Sequence, residues 1–283
     1  MQLKIKTPAK INLSLDVLGI RPDGYHDIAS IMQTISLYDY LTFELEPSEI
    51  LTIELNGTNS NIPYNEKNLI HKAITLFYKE VQGLKNYHFK IFIEKNIPSE
   101  AGLGGGSANA AGTIWALNKL LNTQLSNEKI NYLCASLGSD LNVCYWGGAS
   151  LATSRGEKIK KLASKNYKLS IIKPKNFGIS AKQGYEMFDA LNITKTNIAT
   201  NKLIQAINQN QNIEHLLHND LELAPLKKFE LLKEIKTTYP NSIMTGSGSA
   251  YFVLEEKLNK ILPSDRFLTI QGLTFTQSGI EEA

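Results

Sequence analysis

The sequence predicts an α+β protein of two domains, residues 1–155 and 156–283. Strand-like alternation and helical spacing are mixed along the chain, without the strict βαβ order of a doubly wound parallel sheet. A Gly147-Gly148 break precedes a second set of strands and helices that begins near residue 156. With 283 residues, 42% hydrophobic and 20% charged, the chain is long enough for one large core or two moderate ones.

From Ile11 to Val17, apolar Ile11, Leu13, Leu15 and Val17 alternate with Asn12, Ser14 and Asp16. This is strand periodicity, and it puts Lys10 and Asn12 on one face. RPDGYH at 21–26 has the Pro-Asp-Gly chemistry of a tight turn and leaves Tyr25 and His26 at its tip. Strands are expected at 39–46, 50–55 and 88–94, with a helix over 67–82. AGLGGGSANAA at 101–111 places four glycines in the five positions from Gly102 to Gly106. A helix is expected to begin near Ser107. In the next helix Ser126 caps the N-terminus and Glu128 complements the dipole, while Ile130, Leu133, Cys134 and Leu137 recur at helical spacing before Gly138. Asp140 follows, ahead of an apolar run at 143–146. Further on, 168–174 reads as a strand and 181–190, 200–217 and 226–238 as helices. TGSGSA at 245–250 leads into a strand at 250–255.

Composition narrows the function classes. A net charge of +3 is too mild to argue for nucleic acid. No window approaches eighteen consecutive apolar residues, so no membrane span is expected, and MQLKIKTPAK has no apolar core of a secretory signal. Cys134 and Cys144 form no CxxC pair and fit reduced thiols in a cytoplasmic protein. His215 and His218, three residues apart, lack an evident third ligand and are read as surface residues; no protein metal site is expected.

The glycine-rich loop lies between a strand and a helix, where backbone and helix N–H groups can approach an anion. It is not a Walker A motif, because no lysine follows the last glycine, and it does not fit GxGxxG. Pattern alone leaves a phosphate cradle or a flexible turn. Lys10 and Asp140, taken singly, read as an exposed charge and a polar residue after a helix. A phosphoryl-transfer site needs such a cation and such a carboxylate.

PAKINLSL (8–15), RPDGYH (21–26), AGLGGGSANAA (101–111), LGSD (137–140) and TGSGSA (245–250) together resemble the GHMP small-molecule kinases. The glycine run ending in S-x-N-A and the RPDGYH turn resemble the branch acting on a cytidine diphosphate-linked methylerythritol in non-mevalonate isoprenoid synthesis. The resemblance implies a ribosomal protein S5 domain 2-like N-terminal domain and a ferredoxin-like C-terminal domain. It implies ATP as co-substrate with Mg²⁺, and a monomer or weak homodimer.

By the same resemblance, Asp140 is the catalytic aspartate and Lys10 the lysine beside the acceptor hydroxyl, with Asn12 a polar neighbour toward the substrate. Gly102, Leu103, Gly104, Gly105, Gly106 and Ser107 form the ATP phosphate loop, bordered by Asn68 and Lys95. Tyr25 and His26 hold the cytosine ring, and Tyr185 lies against its other face. The sequence departs from the family pattern at Leu141-Asn142, where Val-Pro is usual, and at Ala181, where a small hydroxyl residue is common. A kinase for another small alcohol, such as homoserine or mevalonate, is the alternative within the class. A non-catalytic nucleotide-binding protein of the same fold is the alternative outside it, and it would need neither Lys10 nor Asp140.

Overall fold

The computed structural model describes residues 1–193 and 198–283. Two long strands, β1 (Gln2–Ile20) and β2 (His26–Pro47), form an antiparallel pair around the turn at 21–25. Next come β3 (Thr52–Gly57), α1 (Leu69–Glu80) and β4 (Tyr87–Glu94), with β3 parallel to β4. The glycine loop then enters α2 (Gly105–Leu120), followed by α3 (Asn127–Leu137), α4 (Leu141–Trp146), β5 (Ala149–Ser154) and β6 (Lys158–Leu162). The chain continues through β7 (Lys168–Pro174), α5 (Ala181–Asp189), α6 (Thr200–Asn208), β8 (His218–Asn219), α7 (Leu223–Lys228) and α8 (Glu230–Thr238). It closes with β9 (Ile243–Met244), β10 (Tyr251–Val253), β11 (Phe267–Thr274) and β12 (Glu281–Glu282).

The larger sheet runs β12-β1-β2-β4-β3, with β5 and β6 continuing from β2 and β8 pairing with β1. The smaller sheet runs β11-β7-β10-β9 and is antiparallel. No helix among the described residues is long and apolar enough to cross a membrane.

Strand β1 explains how the sheets meet. Its alternation suggests one exposed face, but every residue from Thr7 to Val17 is buried. Ile5 packs into the cluster holding the inner faces of α1, α2 and α3, while Ala9, Ile11 and Leu13 pack with Leu169, Ile171 and Leu203 from the second half. The polar residues of the other face find partners, as buried polar groups must. Ser14 Oγ accepts from Ile31 N at 3.1 Å, and Asp16 Oδ2 accepts from Thr200 N at 2.8 Å at the start of α6.

Several sequence expectations change here. The strand expected at 39–46 is the end of β2, whose earlier residues are buried on both faces and show no two-residue rhythm. Helix 200–217 stops at Asn208; Asn210 then takes a left-handed φ of 59°, and only a short 3₁₀ turn at Glu214–Leu216 follows. His218 is therefore not on a surface helix with His215. It sits in β8, half-buried, with Nε2 3.1 Å from Asp16 Oδ1. The helix over 226–238 is two, α7 and α8, separated by Phe229 in an extended conformation. The apolar run after Asp140 forms the short helix α4.

Candidate active site

Helix α2 begins at Gly105, two residues before Ser107. Its N-cap Gly104 is left-handed, with φ 69°, and gives no side-chain cap. The first N–H groups of this helix therefore carry its positive dipole end toward the cleft without a capping oxygen of their own N-cap. The loop is tight where it meets the protein. A Cβ on Gly102 would lie 1.9 Å from Thr245 O, and one on Gly104 would lie 2.9 Å from Lys10 Cγ. Gly106 differs, since a Cβ there would meet only Leu69 Cδ1, at 3.6 Å.

Lys10 and Asp140 are brought together. Lys10 Nζ lies 3.2 Å from Asp140 Oδ2, with side-chain exposures of 4% and 26%. The cation is thus sealed behind a carboxylate that is open to the cleft. Lys10 Nζ also donates to Asn12 Oδ1 at 2.8 Å, and Asn12 Nδ2 donates to Ser30 Oγ at 2.8 Å. Asp140 stands at the head of α4, so that helix carries the carboxylate to the lysine.

The third group of predicted residues is aromatic and shares the cleft with these charges. His26 and Tyr185 stack with centroids 4.6 Å apart and planes 17° apart, which leaves no room for another ring between them. His26 Nε2 is 2.8 Å from Asp189 Oδ1. Burial, with the Asp140 charge as a second cause, pushes the Tyr185 phenol pKa up and keeps it protonated. Tyr25 is exposed, and the Arg155 guanidinium lies 4.9 Å from its ring centroid.

The site residues expected from the sequence, Asn68 and Lys95 included, all line one cleft of about 1040 Å³. That is at the top of the roughly 300–1,000 Å³ span of single-ligand pockets, so two substrates can lie together in it. Asn68 is also the N-cap of α1, its side chain accepting from Ile70 N at 2.9 Å. Lys95 is held inside the protein: its Nζ is 2.6 Å from Asp39 Oδ2 and donates to Ile97 O at 2.7 Å. Burial lowers the Lys95 pKa, and Asp39 partly offsets that. Asp39 Oδ1 accepts from Asn96 N and Ile97 N, each at 2.7 Å. Its Oδ2 also accepts from Asn109 Nδ2, at 3.0 Å. The asparagine of S-x-N-A thus anchors α2 to β2.

Residues 68–148 match the family model described as GHMP kinases N terminal domain. The chain is 39% identical over 259 residues to 4-diphosphocytidyl-2-C-methyl-D-erythritol kinase of Clostridium tetani, covering 88% of this chain and 90% of that protein. It is 37% identical over 279 residues to the protein of the same name from Carboxydothermus hydrogenoformans, covering 96% and 94%. The chain belongs to the 4-diphosphocytidyl-2-C-methyl-D-erythritol kinase family of GHMP kinases.

A crystal structure of 4-(cytidine 5'-diphospho)-2C-methyl-D-erythritol kinase matches this GHMP kinase with a TM-score of 0.73 at 26% identity, covering 98% of this chain and 100% of that one. Homoserine kinase from Cytophaga hutchinsonii matches with a TM-score of 0.76 at 16% identity, covering 100% and 97%, a likeness in fold alone.

The two departures from the kinase family pattern have local explanations. Asn142 Nδ2 donates to Glu157 O at 2.9 Å, so a side-chain bond ties α4 to the β5–β6 turn where a proline would stiffen the backbone. Ala181 is the first residue of α5, and Ser180 before it is occupied as N-cap in a capping box with Gln183. Sequence reasoning missed Asp39, Arg155 and Asp189, which lie in no recognised motif. It quoted TGSGSA without giving Thr245 a task. Thr245 Oγ1 accepts from Asn12 N at 3.1 Å and lies 3.2 Å from Gly102 O.

Proposed function

We propose that the protein transfers the γ-phosphoryl group of ATP to the 2-hydroxyl of 4-diphosphocytidyl-2-C-methyl-D-erythritol, giving the 2-phosphate and ADP in the non-mevalonate isoprenoid pathway. The observation that carries the reading is the Lys10–Asp140 pair, 3.2 Å apart in the cleft that also holds the uncapped start of α2. Names of relatives covering most of the chain support the choice of acceptor.

Phosphoryl transfer asks little covalent chemistry of a protein; it asks for positioning and for charge where charge develops. The loop from Gly102 to Ser107 holds the ATP phosphates on backbone N–H groups. Asp140 accepts the proton of the attacking hydroxyl. Lys10 orients that carboxylate and stabilises negative charge on the oxygen, while Asn12 fixes Lys10. Asn68 and Lys95 border the nucleotide, and Tyr25, His26 and Tyr185 recognise the cytidine end.

Asp140 and the Ser107 hydroxyl are oxygen ligands of the kind Mg²⁺ takes, and both line the cleft. No group of three or more His, Cys, Asp or Glu that could hold a metal is found among the described residues. Bound with the ATP phosphates, Mg²⁺ would supply charge neutralisation there.

The test is ATP consumption with four acceptors: the cytidine-linked methylerythritol, homoserine, mevalonate and galactose. Turnover confined to the first is expected. Turnover of homoserine or mevalonate instead would overturn the choice of acceptor, and ATP binding without any turnover would overturn the enzyme. Asp140→Asn should lower kcat by about 10²- to 10⁴-fold while ATP still binds.

A further inference from the structure

At the edge of β1, in β8, one buried side chain is bonded to both flanks of the turn at Thr245. Asn219, in β8, is 6% exposed. Its Nδ2 donates to Met244 O at 2.6 Å and to Gly246 O at 2.7 Å. Its Oδ1 accepts from Leu221 N at 2.9 Å. Both amide hydrogens are therefore spent on carbonyls that bracket Thr245. Thr245 in turn meets Asn12 N and Gly102 O, and Asn12 holds Lys10. Gly246 also faces the lysine, since a Cβ there would lie 3.3 Å from Lys10 Nζ.

We propose that Asn219 is a positioning residue for phosphoryl transfer: by clamping both sides of Thr245 it sets the distance between the glycine loop and the Lys10–Asn12 pair. This rests on the assignment of those groups to ATP and acceptor given above. Asn219 does not line the cleft and acts through the turn at 244–246, where Thr245 meets Asn12 and Gly102 and Gly246 faces Lys10. The chemistry of the clamp is specific. Two carbonyl oxygens on either side of one residue require two hydrogens from one short side chain, which an amide supplies and a carboxylate of the same shape does not. Asn219→Asp would set acceptor against acceptor, and the turn must move. A shift of about 1 Å between reacting groups costs on the order of 10²-fold in rate.

The experiment measures kcat, both KM values and Tm for Asn219→Asp, Asn219→Ala, Thr245→Val and the Asn219→Ala/Thr245→Val double variant. All are compared with the unsubstituted enzyme on whichever acceptor that enzyme turns over. A change of acceptor would refute the function assigned above and leave this test intact. The expected result is a fall in kcat of about 10- to 100-fold in each single variant. KM for the cytidine substrate should stay within about twofold, because its pocket lies on other elements. The double variant should lose less than the product of the two single losses, since residues acting through one turn are not additive. Additive losses would overturn the proposal, as would unchanged kcat in Asn219→Asp. Failure of both Asn219 variants to fold, with Thr245→Val folded and fully active, would also overturn it by assigning Asn219 to stability.

Discussion

Replacing Gly106 with alanine separates what the protein needs at that position from what its ligand needs. Gly106 is the second residue of α2, and the nearest atom to an added Cβ is Leu69 Cδ1 at 3.6 Å, an ordinary contact. The fold therefore has room for the methyl group. Glycine costs about 0.5–1 kcal/mol relative to alanine within a helix, so Gly106→Ala should be as stable as the parent or more so, with Tm up by roughly 1–3 °C. The cleft side has no such room if the ATP phosphates lie against the backbone N–H groups. A methyl group that forces one charge-assisted bond to lengthen costs about 1.5–3 kcal/mol. That corresponds to roughly 10- to 150-fold in the affinity for ATP. Calorimetric melting without nucleotide and titration with ATP measure the two effects on one sample. Unchanged ATP affinity in a fully folded Gly106→Ala would refute the placing of phosphates on the start of α2. A loss of stability would refute the open space.

Tyr25→Ala and His26→Ala should each raise KM for the cytidine substrate about tenfold or more with KM for ATP unchanged, read from initial rates; equal KM values would remove the cytidine site from this turn. Lys95→Met leaves Asp39 buried without its cation, a change that costs about 3–5 kcal/mol and lowers Tm by about 6–20 °C. An unchanged Tm with weaker ATP binding would instead make Lys95 a nucleotide ligand. Burial raises the Glu222 pKa above its ordinary value of 4.5, outweighing the nearby Lys236. The unfolded chain therefore releases that proton first, and wild-type stability falls as pH climbs from 4.5 through the raised value. Glu222→Gln cannot titrate there, so its Tm relative to wild type should rise across that window; a flat difference would contradict the shift.

What the sequence made legible was local in origin. The cap at Ser126 and the stop at Gly138 mark α3 to within a residue, because both signals are side-chain or backbone chemistry of the helix itself. The glycine run likewise marks the loop ahead of α2. The first half of β2 was illegible, because burial on both faces erases the alternation that betrays a strand. The break at Phe229 was hidden inside a continuous helical pattern. Of the site, motif residues were readable and their braces were not. Lys95 is among the expected site residues and Asn109 lies in a quoted motif, but Asp39, which both of them meet, lies far from either along the chain and no spacing announces it.

The bond from Asn12 to Thr245 joins residues 233 positions apart. Synthesis proceeds from the N-terminus, so Lys10, Asn12, the glycine loop and Asp140 all leave the ribosome well before their shared brace exists. A nascent chain that stops short of residue 245 can carry the cation, the carboxylate and the phosphate loop and still lack the piece that sets their spacing. Closing so wide a loop is slow relative to local folding. The spacing of the cation, the carboxylate and the phosphate loop is thereby completed only after residue 245 has been made.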